Sequence, residues 1–372
     1  MRRVIPFLFI VIAISACKEK VATTTVKNKD ISFFVGTYTD GNSEGIYKYA
    51  LNANGTLDSI GLEATVDNPS FLAKTTDGKY LLAINEIIGK DSVGTIKSFL
   101  IENDSLKELS MSSSGGAHPC FVTVNDDGYV LTANYTGGNV GLLHLDENGK
   151  LSPLLDLQQH SGKGTTERQQ GPHAHSAWFN DNNRVISIDL GTNELWLSHL
   201  DTVEKKLVAA MPPTLQMAPG AGPRHLSFHP NHKWIYVVNE LNGTVQQVIK
   251  TTDSTYTLGS VTSTLPEEYS GENTCADIHC TSDGQFLYVS NRGHNSIAIF
   301  KIDPETGNLA GVGFEPVHGN WPRNFTLSPN EDFLLVANQK SNNIVSFKRD
   351  TVTGLLEFVG EIQAPSPVCL LF

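Results

Sequence analysis

His173, His175, Arg224, Glu240, Arg292 and Arg323 are the residues of this 372-residue chain whose types and spacing are best suited to joint chemistry. They occur at two recurring kinds of position. One is just after a proline-led segment, where His173, His175, Arg224, His225, Asp277 and Arg323 fall, with His118 just before its own proline. The other is the polar end of an apolar run, where Glu86, Tyr135, Asp189, Glu240, Arg292 and Gln339 fall. Arginine offers a planar fork of donors that matches a carboxylate or phosphate. A histidine or glutamate of tuned basicity activates water. The combination suits acid/base chemistry on an anionic substrate, with Arg323, Asp277 and Tyr135 as further substrate contacts. Each residue also has an ordinary use. Glu240 and Arg292 together make a plain ion pair between neighbouring segments, and strand alternation points His225 away from Arg224. His173 and His175, two apart on one strand, share a face. No carboxylate adjoins them in sequence, so they are read as hydrogen-bonding groups and not as metal ligands. No metal or other cofactor is expected.

The elements that position these residues repeat. Apolar runs end at Asn85, Asn134, Asp189, Asn239, Asn291 and Asn338, and FFVG ends in the same slot at Gly36. Successive anchors are 49, 49, 55, 50, 52 and 47 residues apart, a period that signals an array of equal units. A turn precedes each run, at Asp77-Gly78, Asp127-Gly128, Asn182-Asn183, Asn231-His232, Asp283-Gly284 and Asn330-Glu331. Before the turn comes a short strand opened by Pro69, Pro119, Pro172, Pro223 or Pro322, with Cys275 in that slot in the sixth unit. A third strand and then a fourth follow the anchor. Apolar runs without alternation imply burial on both faces. Four short strands per unit, and almost no helical period, predict an all-β, seven-bladed propeller of four-stranded antiparallel blades.

The first unit lacks its proline-led strand. The C-terminal Pro365–Phe372 supplies one, so the ring is expected to close through the C-terminus, beside Phe33–Thr37. Antiparallel pairing then carries the starts of the inner strands and the ends of the second strands to one face. The long connections 158–171, 211–222 and 265–274 are placed to wall a pocket there.

Residues 1–16 read as a lipoprotein signal peptide: Arg2 and Arg3, an apolar run from Val4 to Ile14, then Ile14-Ser15-Ala16-Cys17 as a lipobox. Cys17 is the predicted lipidation site, residues 17–30 a flexible tether, and 31–372 the propeller. The protein is therefore expected to be exported and membrane-anchored through its lipid, at the periplasmic side or the cell surface. The net charge of −12 becomes 25 − 39 = −14 once Arg2 and Arg3 are removed. That balance does not favour nucleic acid as a partner. Cys275 and Cys280, five apart on one strand, are expected to face opposite sides, and no zinc spacing occurs. Oligomeric state is not legible.

The segments FVGTYTDGNSEGIYKYAL, HPCFVTVNDDGYVLTANYTGGNV, GPHAHSAWF, GAGPRHLSFHPNHKWIYVVNEL, ADIHCTSDGQFLYVSNRGHNSIAIF and WPRNFTLSPNEDFLLVANQKSNNIVSF together resemble the seven-bladed propeller lactonases. That family includes bacterial 6-phosphogluconolactonases and the fungal carboxy-cis,cis-muconate cyclase. The resemblance covers Ser32–Phe372. It implies a carboxylic-ester hydrolase of carbohydrate metabolism that opens a small anionic sugar lactone, in the reference case 6-phospho-D-glucono-1,5-lactone to 6-phosphogluconate. It matches the family's site histidine, arginine, glutamate and second arginine to His173 or His175, Arg224, Glu240 and Arg292. It leads one to expect glutamate where Asp277 stands. Two other readings remain: a lactone cyclase on the same scaffold, and a non-catalytic surface propeller that binds a glycan or protein.

Overall fold

A computed structural model describes Met1 and residues 30–89, 91–102, 105–252 and 255–372. Cys17 and the tether up to Lys29 lie outside the described residues. Among the described residues no helix is long and apolar enough to cross a membrane. The strands form seven four-stranded antiparallel sheets, the seven predicted blades. Blades 2 to 7 each use four consecutive strands. Their inner strands are Leu72–Lys74, Pro119–Val124, Ala174–Asn180, Pro223–Phe228, Thr274–Cys280 and Pro322–Leu327. In blade 1 the inner strand is the C-terminal Pro367–Leu371, paired with Ile31–Thr37, so the ring closes as the sequence predicts.

The burial pattern shows why the sequence takes this form. Second strands such as Tyr80–Asn85, Tyr129–Asn134, Trp234–Asn239 and Phe333–Asn338 are buried at every position. Each is covered by a neighbouring blade on either side, so its run of apolar residues need not alternate. Outer strands, such as Leu57–Thr65 and Leu309–Pro316, alternate with solvent. The buried apolar side chains group into seven clusters, one at each blade interface. The interface of blade 7 with blade 1 joins Leu335 and Ile344 to Phe33, Val35 and Leu370. The turns fall where predicted, with left-handed backbone at Gly78, Gly128 and Gly284 and at Asn182, Asn183, His232 and Glu331.

One irregularity recurs. In six blades the inner strand skips a residue against its partner at the same place. Pro119 pairs with Asn134 and Phe121 with Ala133, leaving Cys120 unpaired. By the same count His175, Arg224, Arg323 and Val368 are the skipped residues, and in blade 6 both Ala276 and Asp277. A β-bulge breaks the two-residue alternation and re-aims a side chain. Two expectations fall for this reason. Cys275 and Cys280 do not face opposite ways: the bulge between them lets both pack on the same cluster between blades 5 and 6. His225 does not turn away from Arg224 but lies beside it, with both ring nitrogens within 3.4 Å of Arg224 Nη1.

Candidate active site

The bulges gather at one mouth of the ring. Cys120, His175 and Arg323 each line a cavity of about 420 Å³ there, and Arg224 abuts its wall. The second ingredient is the residue after each anchor, where the second strand ends. Tyr38, Glu86, Tyr135, Glu240, Arg292 and Gln339 all line the same cavity. Only blade 4 departs, with buried Leu190 in that slot. A hollow of about 690 Å³ lies between the turns of blades 2 and 3, on the opposite face. Its charged lining is mostly acidic, with Asp77, Asp126, Asp127 and Asp146, and it lacks the convergent arginines.

Glu240 is the centre of the charge arrangement. Its Oε2 lies 2.9 Å from Arg292 Nη2 and 3.1 Å from Arg224 Nε, and its Oε1 lies 3.1 Å from Arg168 Nη2. Glu240, Arg224 and Arg292 are 4%, 2% and 5% exposed, so these charges interact with little solvent screening. Burial alone would raise the Glu240 carboxyl, but Arg292, Arg224, Arg168 and Arg323 outweigh it and bring it down to about 2. Glu240 is therefore ionised throughout the neutral range. Burial, together with Arg292 and Arg323, lowers Arg224 to about 10, where it is still charged. Arg224 and Arg292 are also fixed from behind: Arg224 Nη1 donates to the Ala276 carbonyl and Arg292 Nη2 to the Cys275 carbonyl, each at 2.7 Å. Arg323 makes no ion pair among the described residues, and its guanidinium lies 5.3 Å from the centre of the Tyr38 ring. Four arginines and two glutamates thus surround one cavity in a chain whose net charge is −12. His175 is kept neutral, held well below its ordinary value by burial and then by the neighbouring Arg224.

The family described as Lactonase, 7-bladed beta-propeller, matches residues 32–372. The chain belongs to the seven-bladed β-propeller lactonase family. It is 37% identical over 346 residues to the 6-phosphogluconolactonase of Bacillus subtilis, covering 91% of this chain and 97% of that one. It is 34% identical over 308 residues to the 6-phosphogluconolactonase of Formosa agariphila, covering 80% and 86%. The structure of the Pseudomonas aeruginosa periplasmic gluconolactonase PpgL superposes with a TM-score of 0.88 at 30% identity, covering 92% of this chain and 98% of that one. Lactonases hydrolyse cyclic esters and so are carboxylic-ester hydrolases.

In this lactonase the structure brings Glu240, Arg224, Arg292, His175, Arg323 and Tyr135 together as the sequence predicts, and leaves two predicted contacts outside the cavity wall. His173 precedes the bulge and turns behind Tyr135. Its ring stacks on Tyr135 at 4.5 Å, and its Nδ1 lies 3.0 Å from the Tyr135 carbonyl, so it supports that side chain. Asp277 sits one layer down. Its Oδ1 is 2.9 Å from His225 Nδ1, and its Oδ2 is 3.1 Å from His279 Nε2 and 2.5 Å from Asn324 Nδ2. The two-residue bulge of blade 6 puts Asp277 there, where its oxygens are consumed by these donors. Among the described residues no group of three or more His, Cys, Asp or Glu side chains is placed to hold a metal ion.

Tyr38, Arg168 and Trp321 are wall residues that the repeat pattern does not single out. Tyr38 escapes because the first anchor is Thr37 and not Gly36: Thr37 pairs with Pro367, as Asn134 does with Pro119. Arg168 stands on a 3₁₀ turn, Glu167–Gln169, inside the long connection into blade 4. Buried Gln169 ties that turn down by donating to the Leu190 carbonyl and to Asn193 Oδ1, leaving Arg168 to reach Glu240 and the Tyr135 hydroxyl. Trp321 adopts a left-handed backbone (φ 71°) and packs its ring against Arg292 and Lys340. Such strain in a bulky residue is concentrated at functional sites.

Proposed function

We propose that this chain hydrolyses a small anionic sugar lactone in the cavity around Glu240. The observation that carries the reading is the excess of arginine over carboxylate at the cavity of a lactonase-family propeller whose overall charge is negative. Water adds to the lactone carbonyl, the tetrahedral oxyanion collapses, and the ring oxygen leaves as a hydroxyl. Arg292 and Arg224, fixed by backbone carbonyls and by Glu240, are aimed donors for the oxyanion. Such preorganised donors act strongly in a water-poor site. Arg323, without an ion-pair partner among the described residues, is suited to the substrate's own anion, and Tyr135 and Arg168 to its hydroxyls. His175, neutral, offers one hydrogen bond. His173 and Asp277 position Tyr135 and His225. The relatives named 6-phosphogluconolactonase make 6-phospho-D-glucono-1,5-lactone the first compound to test, and the periplasmic gluconolactonase makes the unphosphorylated lactone the second.

Purified protein is expected to accelerate opening of at least one aldonolactone above its spontaneous rate, measured by proton release, and to keep that activity in EDTA. Turnover lost to chelation and restored by added metal would assign a metal role and overturn the metal-free mechanism. Binding of a glycan with no lactone turned over would favour a non-catalytic propeller.

We also propose export and lipid attachment at Cys17. The basic start, the short apolar run and the Ile14–Cys17 box support it, together with the periplasmic location named for one structural relative. Cys17→Ser is expected to leave the protein in the soluble fraction and to abolish labelling by a fatty-acid probe. Equal labelling of both forms would refute it.

A further inference from the structure

The cavity holds a second carboxylate, and its surroundings are the reverse of those of Glu240. Glu86 follows the last residue of the second strand of blade 2 and lines the cavity. Its Oε2 accepts the Tyr38 hydroxyl at 2.8 Å and also the Ser70 hydroxyl. Its main chain is pinned at both ends of the residue, with the amide donating to the Asn68 carbonyl and the carbonyl accepting from Asn68 Nδ2. Oε1 has no hydrogen bond or ion pair among the described residues. Glu86 is thus fixed through one oxygen by two neutral hydroxyls and keeps the other for the cavity. Glu240 has both oxygens against guanidinium groups.

Building on the lactonase reading, we propose that Glu86 is the general base of the reaction and that Glu240 is the anion that holds the arginines in place. A base must reach the proton it takes and must be basic near the working pH. Glu240 fails on both counts, since both its oxygens lie against guanidinium groups and three arginines stabilise its ionised form. Glu86 lines the cavity and has one oxygen without a partner among the described residues. Charged and titratable groups around it include Tyr38 on blade 1, Cys120 on blade 3 and Arg323 on blade 7, with His175 and Glu240 on the same cavity wall. Burial pushes the Tyr38 hydroxyl and the Cys120 thiol upward, so both stay protonated. Arg323 rests over the Tyr38 ring and not against the carboxylate.

The step balances. Glu86 Oε1 takes one proton from water as the water oxygen bonds to the lactone carbonyl carbon. The oxyanion forms against Arg224 and Arg292. As the carbon–ring-oxygen bond breaks, the departing oxygen takes that proton back and becomes a hydroxyl. The new carboxylic acid loses its proton to solvent, and no oxidant or metal is consumed.

The test uses the full-length protein with a lactone that the wild type turns over. Glu86→Gln is expected to lower kcat by about 10²–10⁴-fold with KM changed only a few-fold. Glu86→Ala is expected to regain part of its rate when formate is added, which a purely structural residue would not do. Glu240→Ala is expected to show a raised KM and no formate rescue. Wild-type kcat in Glu86→Gln, or formate rescue of Glu240→Ala and not of Glu86→Ala, overturns the assignment while leaving the lactonase reading intact. A wild type that opens no lactone overturns both.

Discussion

Glu240→Gln is expected to cost several degrees of Tm and at least about a hundredfold in kcat/KM. The substitution is nearly isosteric, so its effect isolates the charge. Without it, Arg224 and Arg292 are left facing each other while 2% and 5% exposed, and Arg168 loses one of its two partners. Breaking a buried pair by removing one partner typically costs about 3–5 kcal/mol. Loss of a single preorganised oxyanion donor typically costs about 10²–10³-fold in rate, and here two donors lose the group that aims them. The pH dependence gives an independent check. The folded Glu240 carboxyl lies at about 2 and its ordinary value is 4.5, so its stabilising contribution is complete above pH 4.5 and disappears as pH falls toward 2. A shift of that size is worth on the order of 3 kcal/mol. The stability gap between wild type and Glu240→Gln should therefore be widest at neutral pH and close in acid. Both proteins should weaken together between pH 6.5 and about 4. There the unfolded His225 takes up a proton that the folded one, buried beside Arg224, refuses. Denaturant titrations across pH would measure this directly, and a gap that stays constant from pH 7 down to pH 2.5 would contradict it.

The blades were legible because their signal is redundant. Six anchors, their turns and their proline-led strands repeat the same constraint, and a second strand buried on both faces can only be written as an apolar run. The charged cluster was legible for the same reason, since strand ends in a propeller share a face. What the sequence hid lies in single-residue offsets. Thr37 is not an asparagine, so the first anchor reads one residue early and Tyr38 drops out of the ring. Asp189 is the anchor itself and not the residue after it. It is wholly buried and accepts from His160 Nδ1 at 2.7 Å, a structural role. The bulges are invisible to a rule of alternation, and they decide where His225, Asp277 and Cys280 point. Arg168 belongs to an insertion outside the repeat, so no periodic argument reaches it. Glu86 was placed in the ring, but only the hydroxyls around it, brought by Tyr38 and Ser70 from two blades, set it apart from Glu240.

Removal of Pro367–Phe372 is expected to abolish the folded state and not merely to fray an end. The six residues contain the whole inner strand of blade 1, Pro367–Leu371, where Leu371, Leu370 and Cys369 pair with Phe34, Val35 and Gly36. Val368, Cys369 and Leu370 are 2%, 3% and 5% exposed, and Phe372 packs on Phe33 at 5.2 Å. Leu370 completes the cluster between blades 7 and 1, and Cys369 the cluster between blades 1 and 2, so the deletion opens two interfaces. A fully buried apolar side chain contributes about 1.5–3 kcal/mol. Losing several approaches the roughly 5–15 kcal/mol by which a native domain is stable. The deletion also bares the edge of Ile31–Thr37 to intermolecular pairing. It reaches the active site as well: the Leu370 amide donates to Asn324 Oδ1 at 2.7 Å, and Asn324 in turn holds Asp277 beneath the cavity. The truncated chain should therefore aggregate or melt without a cooperative transition. A circular permutant that joins Pro365–Phe372 ahead of Ile31 should recover both the transition and the activity, because it restores the same strand from the other end of the chain. Unchanged melting of the truncated chain would show that the ring is held shut by something other than this strand.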